Sequence, residues 1–240
     1  MKEDFTDFIE VSGLLEYDPD TISKIYQKNP KRLLKRLWQT LIPIFAYIFS
    51  VGWDKLTGRL KNEAKARFRA KELTNLLVEL GPAFVKAGQA LSTRPDIIPA
   101  ILLEELSELQ DQLPGFDGDK AMELIEEDLG SKIDEIFLEI DKEPISAASL
   151  GQVHKAKLKN EEVVAVKVQR PGLREQITLD LYIVRNIAYW LKNNIGLIRS
   201  DLVALIDELG KRVFEEMDYL NEAENAEKFR NMHKHNQMIA

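Results

Sequence analysis

Three groups of charged side chains in this sequence could do chemistry. Lys167 stands in a short run of β-branched residues, and Lys86 stands in a helical stretch. Glu215, Asp218 and Glu222 fall at i, i+3 and i+7, so on one helix they share a stripe. Burying an unpaired ammonium or carboxylate is strongly unfavourable, so each charge that faces the interior must pair. The alternative for every group is a solvated surface position.

The run that holds Lys167 is the second strand of a predicted hairpin. Gln152 to Leu158 and Val163 to Gln169 can each extend as strands, and the polar residues 159–162 supply the reversal. Side chains alternate between the two faces of a strand. One face of the second strand therefore carries Val164, Val166 and Val168, and the other carries Val163, Ala165 and Lys167.

Lys86 belongs to a predicted helix over residues 82–93, which follows a helix over residues 62–80. Lys86 and Gln89 lie on one polar stripe, which is also typical of a solvated face. Gly88 inside this helix costs about 1 kcal/mol relative to alanine. The glycine therefore calls for a structural reason.

The carboxylates lie in a predicted helix that starts near Ser200 and carries an apolar face as far as Leu220. Ser200 can cap it, and Asp201 is favourable in its first turn. On an ideal helix Glu216 and Asp218 point in roughly opposite directions. Either they face different partners or the helix is distorted there.

Further elements receive structural roles only. Acidic amphipathic helices are predicted over residues 99–113 and 117–129, a short strand or a helix end over 136–140, and a long helix over 173–193. The predicted fold class is α+β, mostly helical, with a small antiparallel sheet packed against the long helix that carries Glu222.

Four short motifs occur along the chain. Lys86-Ala87-Gly88-Gln89 has the form K-x-G-Q, an Ala-rich loop runs into Gly151-Gln152-Val153-His154, and Glu216-Met217-Asp218 has the form E-x-D. Val164-Ala165-Val166-Lys167 matches the V-A-I-K strand of protein kinases. Together they resemble the UbiB family of atypical kinase-like proteins, in which an Ala-rich loop replaces the Gly-rich loop of kinases.

The resemblance implies the nucleotide-pocket portion of a UbiB-type atypical kinase or ATPase. Its fold would be an incomplete protein-kinase-like N-lobe with a helical N-terminal extension. The implied cofactor is ATP or ADP with Mg²⁺, and the implied process is isoprenoid-quinone or prenyl-lipid metabolism at membranes, with quinone-biosynthesis proteins as partners. Two ion pairs are implied, Lys167 with Glu222 and Lys86 with a carboxylate of the Glu216 and Asp218 pair.

The resemblance also assigns two groups of site residues. Those implied for nucleotide binding are Ala147, Ala148, Ser149, Gly151, Gln152, Ala165, Lys167 and Glu222. Those implied for a helical extension that occludes the pocket are Lys86, Gly88, Gln89, Glu216 and Asp218. Ser146 stands where relatives often carry a third alanine, and this departure bears on nucleotide preference.

No counterpart of the kinase catalytic loop or of the metal-binding aspartate occurs in the 240 residues. The family would place both beyond Ala240, so the chain is expected to be an N-terminal portion or a truncated reading frame. No catalytic or metal-binding residue is assigned, and little or no turnover is expected. The alternative function is a noncatalytic helical membrane-associated scaffold.

The amino-acid composition excludes several kinds of catalytic and metal-binding site. The absence of cysteine excludes disulfides, thiolate metal sites and cysteine nucleophiles, and three scattered histidines form no metal cluster.

The net charge of the chain is −7, but positive and negative residues are segregated along the sequence. Residues 1–20 hold 7 acids and 1 lysine, residues 24–71 hold 13 Lys/Arg and 2 acids, and residues 96–143 hold 16 acids and 3 lysines. The basic region is expected to meet an anionic partner or the acidic segment of this chain.

An uncharged apolar run, Leu37 to Trp53, follows a cluster of cations. The cluster comprises Lys24, Lys28, Lys31, Arg32, Lys35 and Arg36. The run is predicted to lie in the membrane interface, with the cations drawn to anionic or prenyl-lipid membranes, and the alternative is a buried core helix.

Three segments are predicted: a basic and apolar N-terminal segment (1–60), a helical K-x-G-Q extension (61–135) and a partial N-lobe (136–240). The acidic first twenty residues carry no secretory signal. The predicted location is the cytoplasmic or organelle-stromal side, with peripheral membrane attachment. No nucleic-acid partner is expected, because no recognition motif accompanies the cations.

Overall fold

The computed structural model describes residues 11, 13–96, 98–110, 113–195 and 201–234. The helices are α1 (Pro19–Gln27), α2 (Pro30–Leu56), α3 (Glu63–Leu80), α4 (Pro82–Ser92), α5 (Ala100–Ser107), α6 (Gly118–Leu129), α7 (Ile133–Ile136), α8 (Leu173–Ile195), α9 (Leu202–Met217) and α10 (Tyr219–His233). The strands are β1 (Phe137–Ile140), β2 (Ser146–Ala147), β3 (Gly151–Leu158) and β4 (Val163–Gln169). Residues 30–177 form one compact unit, and the described parts of 1–29 and 178–240 form another. The mostly helical α+β fold class is confirmed.

The small sheet is antiparallel and is built around β3. Strand β4 pairs along the whole length of β3, while β1 and β2 pair with its two ends. The predicted hairpin is confirmed, with His154 opposite Val166. Residues 137–140, for which a helix end was the alternative, form β1 immediately after the short helix α7.

The two faces of β4 differ as the alternation predicts. Val164, Val166 and Val168 belong to or pack against a core that α6 closes with Ala121, Met122 and Ile125. Ala165 and Lys167 are exposed on the other face. The sheet therefore buries one side under α6 and leaves the other side with Lys167 open.

Helices α3, α4 and α5 share a separate core within the same unit. Val85, Leu106 and Leu109 are buried there. Gly81, with φ +110°, joins α3 to α4, and Pro82 opens α4 as predicted. Helix α5 is shorter than the predicted residues 99–113, because a 3₁₀ turn over 108–110 ends it.

The basic and acidic segments meet within this unit, which was one of the two expectations from the charge pattern. Arg67 of α3 donates from Nη1 to Glu105 Oε1 at 3.1 Å and from Nη2 to Glu104 Oε2 at 3.0 Å, and both carboxylates lie on α5. Charge pairing thus adds to the apolar core that joins α3 and α5.

Helix α2 carries the apolar run, but its side chains point outward. Thr40 and Asp54 are its buried residues. The interpretation of the run as a buried core helix is therefore wrong. No helix within the described ranges combines the length and the apolar character needed to cross a bilayer.

Asp54 joins the end of α2 to α3 through a cluster of cations. Arg69 donates from Nε to Asp54 Oδ2 at 2.6 Å, and Lys65 Nζ stands 3.4 Å from the same oxygen. Burial by itself would raise the pKa of Asp54. The hydrogen bond and charge of Arg69, followed by the charge of Lys65, outweigh burial and hold the pKa of Asp54 below its usual range.

We expect Asp54→Asn to destabilise the chain at neutral pH and to matter less in acid. A carboxyl whose folded-state pKa is depressed contributes stability above its unfolded pKa, about 3.9 for aspartate, and loses it as the pH falls through the folded value. Urea unfolding of wild type and variant at a series of pH values from neutral to below 4 measures the difference. Asp128→Asn, at an exposed position of α6, is the matched control. A gap between wild type and Asp54→Asn that stays constant in acid contradicts the expectation.

The second unit holds α1 against α8 and α9 with buried polar contacts. Tyr26 and Thr178 share a hydrogen bond of 2.8 Å between their hydroxyls. Tyr17 donates to Asp207 at 2.8 Å, and Arg185 donates to the same carboxylate at 2.7 and 3.2 Å. Burial, and then the bond to Asp207, raise the pKa of Tyr17, so its hydroxyl remains a donor.

The predicted helix that starts near Ser200 and reaches Leu220 is wrong in its continuity. Asp201 is the N-cap of α9 and accepts from Ala204 N at 3.3 Å, while Ser200, the predicted cap, lies outside the described residues. The helix then breaks at Asp218, whose φ of −88° and ψ of 86° are not helical. The distorted-helix alternative is therefore the one observed, and the single carboxylate stripe does not exist.

Candidate functional site

The Ala-rich loop is a tight hairpin between β2 and β3. Ala148 N donates to Gly151 O at 2.8 Å, and Arg170 N donates to Leu150 O at 3.0 Å. Ser149 and Leu150 are buried, whereas Ala148 is exposed. The loop therefore turns its larger side chains into the protein and keeps a small one on its surface.

Arg170, the residue after β4, fastens this loop to the segment that precedes α6. Its Nε and Nη2 donate to Ala148 O at 3.1 and 3.0 Å, and Nη2 also donates to Pro114 O at 2.5 Å. The guanidinium lies 5.9 Å from the centre of the Phe116 ring. Partial burial lowers the pKa of Arg170, although an arginine remains charged at any physiological pH. A fixed cation thus binds the loop backbone and the 114–116 backbone together.

Gln152 makes a second attachment from the opposite side of the loop. Its Oε1 accepts from Phe116 N at 2.8 Å, and its Nε2 donates to Phe116 O at 3.3 Å. His154 Nδ1 lies 2.8 Å from Asp141 O, which can only accept, so Nδ1 carries the proton. His154 Nε2 then accepts from Gln152 Nε2 at 3.0 Å. Gln152 and His154, 1% and 0% exposed, thus form a buried chain in which each donor meets an acceptor.

Two glycines at and before the start of α6 allow close packing, Gly115 against the loop and Gly118 against the backbone of Lys142. A Cβ on Gly115 would stand 3.0 Å from Gln152 Oε1 and 3.9 Å from Ala147 Cβ. A Cβ on Gly118 would stand 2.5 Å from the backbone oxygen of Lys142. The loop therefore rests on a shaped backbone surface. A kinase glycine-rich loop instead covers the phosphates, and its glycines leave it room to move.

Lys167 occupies the open face of the sheet beside Ala165. It pairs across the sheet with Val153, and Ala165 pairs with Lys155. Small or aliphatic side chains beside an ammonium suit a flat ring next to a phosphate, as the kinase-like motif implies. The open face of β4 therefore has the predicted arrangement of Lys167 and Ala165.

The K-x-G-Q residues lie on α4 in different environments. Gly88 packs against the core, where a Cβ would stand 2.7 Å from Leu109 Cδ1 and 2.8 Å from Leu77 Cδ1, which is the reason for a glycine inside the helix. Gln89 Nε2 donates to Leu109 O at 2.7 Å. Lys86 is partly buried. Gly88 and Gln89 therefore hold α4 to the 3₁₀ turn that follows α5.

The carboxylates of the E-x-D motif and Glu222 belong to the other compact unit. Glu216 is on α9, Glu222 is on α10, and Asp218 between them accepts from Asn221 N at 3.0 Å as the N-cap of α10. The predicted pairing of Lys86 and Lys167 with these carboxylates stays a prediction.

A cavity of 330 Å³ lies behind the Ala-rich loop. Ser149 and Arg170 line it on the loop side, and Val85, Pro114 and Gln176 are among its other walls. Among the residues that the structure describes, no three His, Cys, Asp or Glu side chains are placed to hold a metal ion. The described residues thus offer a nucleotide an ammonium and loop backbone, but no carboxylate cluster for Mg²⁺.

Two residues with structural influence were not found from the sequence. Asp54 had a signal, because it is one of only 2 acids among 13 cations in residues 24–71. Arg170 had no signal in the sequence beyond its place between a strand and Pro171. Its acceptors are backbone carbonyls, which every residue carries.

Comparison with known proteins identifies similar sequences of one family. The family model of the ABC1 atypical kinase-like domain matches residues 108–240. An uncharacterised protein of Synechocystis sp. is 52% identical over 89% of this chain and 31% of its own length. An uncharacterised chloroplastic aarF domain-containing protein kinase of Arabidopsis thaliana is 49% identical over 93% of this chain and 32% of its own.

Two further similarities also cover most of this chain. The chloroplastic protein ACTIVITY OF BC1 COMPLEX KINASE 3 of Arabidopsis thaliana is 42% identical over 90% of this chain and 30% of its own. A Mycobacterium tuberculosis protein solved with erythromycin is 32% identical, with a TM-score of 0.43 over 74% of this chain and 44% of that chain. The chain spans about a third of the length of the curated relatives that it matches.

Proposed function

The chain belongs to the ABC1 atypical kinase-like family, also called the UbiB family, and on that premise we propose that it forms part of a nucleotide pocket. The whole protein would be an atypical kinase or ATPase acting in isoprenoid-quinone or other prenyl-lipid metabolism. Nucleotide is the proposed ligand of this chain, and quinone-biosynthesis proteins are proposed partners of the whole protein.

One observation carries the nucleotide proposal: Lys167 and Ala165 lie together on the open face of β4, next to the Ala-rich loop. A lysine on this strand holds phosphates in kinases, and a small neighbour leaves space for the base. The loop residues Ala147, Ala148, Ser149 and Gly151 are proposed as the second wall. Gln152, which the resemblance assigns to nucleotide binding, is 1% exposed and hydrogen-bonded to Phe116. We therefore propose that it supports this wall rather than touching the nucleotide.

The role of the carboxylates completes the proposal. We propose that Glu222 pairs with Lys167, and that Lys86 and Gln89 restrict the pocket together with Glu216 and Asp218. ATP or ADP is the proposed nucleotide. When Mg²⁺ is bound with it, the ion supplies charge neutralisation of the phosphates. Because the described residues bring no metal ligands together, no step is assigned to the ion, and little turnover is expected from these 240 residues.

The proposed location is a membrane surface on the cytoplasmic or organelle-stromal side. The Arabidopsis relatives are named as chloroplastic proteins, which supports an organelle location. The outward apolar side chains of α2 support peripheral attachment.

We expect Mg²⁺–ADP or Mg²⁺–ATP to raise the melting temperature of the chain, and Lys167→Ala to abolish the rise. A ligand at tenfold excess over its Kd stabilises the folded state by about 1.4 kcal/mol, which is about 3 °C or more for a chain of this size. Thermal unfolding with and without nucleotide measures it. Lys159→Ala, at the exposed turn of the same hairpin, is the matched control.

Two results would contradict the nucleotide proposal. One is an equal rise in wild type and Lys167→Ala. The other is no rise in wild type together with strong binding to vesicles, which favours the noncatalytic membrane-associated scaffold.

A further inference from the structure

Helix α2 exposes an apolar face along nearly its whole length. Eight large side chains on it are each more than half exposed: Leu34, Trp38, Ile42, Phe45, Ile48, Phe49, Trp53 and Leu56. At 100° per residue they fall within an arc of about 140° on one side of the helix. Scattered apolar residues are normal on a protein surface, but a continuous stripe marks an interaction site.

The opposite side of α2 is polar and is bonded to the protein. Arg36 Nη2 donates to Leu80 O, Tyr47 Oη donates to Arg69 O at 3.1 Å, and Asp54 accepts from Arg69. Thr40 and Asp54 are the buried residues of the helix. An amphipathic helix in water normally buries its apolar side, so α2 has the reverse orientation.

This orientation limits what can cover the apolar side. Lipid cannot surround the helix on all sides, because Arg36, Tyr47 and Asp54 tie its polar side to α3 and to the end of that helix. A helix that lies flat in an interface, with only one side in the acyl region, satisfies both faces. Tryptophans suit this position, because the indole ring is apolar and its N–H is polar.

The charged residues near the two ends of α2 indicate which kind of interface the apolar side would contact. Lys31 and Lys35 are exposed and lie on the apolar side at the first turns of α2, and exposed Lys55 lies at its edge near the last turn. Cations at both ends of an apolar stripe match the negative headgroups of an anionic bilayer. A second protein surface would need its own acids at both ends.

We propose that α2 docks this chain flat on an anionic lipid bilayer through the stripe of Leu34, Trp38, Ile42, Phe45, Ile48, Phe49, Trp53 and Leu56. This inference rests on the proposed membrane location and specifies the surface that makes the contact. It does not depend on the nucleotide site, which lies on the sheet.

The test is co-sedimentation of the full 240-residue chain with vesicles of equal parts phosphatidylcholine and phosphatidylglycerol. Phe45→Ser with Phe49→Ser is expected to weaken binding about tenfold or more, because two exposed aromatic rings lose their place in the acyl region. Leu220→Ser with Phe229→Ser, at exposed positions of α10, is the matched control and is expected to bind like wild type. Raising the salt from about 0.1 M to 1 M, which shortens the Debye length from about 10 to 3 Å, is expected to weaken wild-type binding.

A second measurement needs no change in α2. Trp190→Phe leaves Trp38 and Trp53 as the tryptophans of the chain. We expect both to shift their emission to shorter wavelength on vesicles and to be quenched by brominated lipid. Unchanged emission on vesicles that bind the chain overturns the proposal even if the serine variants fail to fold.

Other outcomes separate this proposal from its rivals. Equal binding of the α2 variant and wild type, or equal loss in the control pair, overturns it. If wild type is a dimer that does not bind vesicles, and the Phe45→Ser, Phe49→Ser variant is a monomer, then a second copy of the chain covers the stripe instead. Equal binding to pure phosphatidylcholine overturns the choice of an anionic surface. Retained vesicle binding without any nucleotide response counts against the proposed nucleotide site alone.

Discussion

Gln152→Leu is expected to lower the free energy of unfolding by about 2–4 kcal/mol, because leucine fills the space but makes no hydrogen bonds. The substitution leaves buried His154 Nε2 and the part-buried Phe116 N and Phe116 O without their present partners. Each buried group without a partner costs about 1–3 kcal/mol, and some will find water. The loss should therefore exceed that of an ordinary surface change by several-fold.

Urea unfolding followed by circular dichroism measures this change, and hydrogen exchange of the Phe116 amide reports it locally. Gln39→Leu, at an exposed position of α2, is the control and should change stability by less than about 0.5 kcal/mol. Equal effects at positions 39 and 152 would show that the buried chain contributes little.

Gln152→Glu separates the hydrogen-bond account from a packing account. The carboxylate can still accept from Phe116 N, but it cannot donate to His154 Nε2. The variant keeps nearly the same shape but leaves His154 Nε2 without its donor, so it is expected to be less stable than wild type. A Gln152→Glu variant as stable as wild type would point to shape alone.

Gly118→Ala is expected to lower the free energy of unfolding by about 1–3 kcal/mol. The new Cβ would stand 2.5 Å from Lys142 O and 3.2 Å from its carbonyl carbon. These are backbone atoms, which cannot rotate away as the end of a side chain can. The strain should shift residues 113–117 and weaken the attachment of the Ala-rich loop.

Gly52→Ala is the matched control for this substitution. Apart from its chain neighbours and the nearby backbone of α2 itself, no atom lies within 4 Å of the position that its Cβ would take. Alanine there is expected to stabilise the chain by about 0.5–1 kcal/mol, because glycine is a poor helix former. Chemical denaturation of both variants, with exchange rates of the amides at 148–151, checks the pair. A stabilising effect at both positions would refute the close approach of the α6 start to Lys142.

Much of the local structure was predictable because it depends on neighbours along the chain. The alternation of Val164, Val166 and Val168 with Ala165 and Lys167 predicted both faces of β4. Gly81 and Pro82 marked the boundary between α3 and α4. The break at Asp218 was only one of two alternatives, because the apolar periodicity of the helix runs through it.

The surroundings of the predicted site were less predictable. Nothing near Gln152 in the sequence indicates that its amide bonds to Phe116, 36 residues earlier. Arg170 donates to the backbone carbonyl oxygen of Ala148, and a backbone acceptor cannot be recognised from the amino-acid sequence. The partners of Lys86 and Lys167 stay a prediction.

By itself the sequence determined the family, the hairpin with its lysine, and the presence of a basic and apolar helix near the start. Motifs, strand alternation and helix periodicity all act over a few residues, so they can be read along the chain. Only the tertiary structure decided that α2 faces outward with its apolar side and that Arg170 and Gln152 fasten the Ala-rich loop. These features depend on hydrogen bonds between residues that are far apart in the sequence. The polar side of α2 faces inward because Arg69 and the end of α3 are hydrogen-bonded to it.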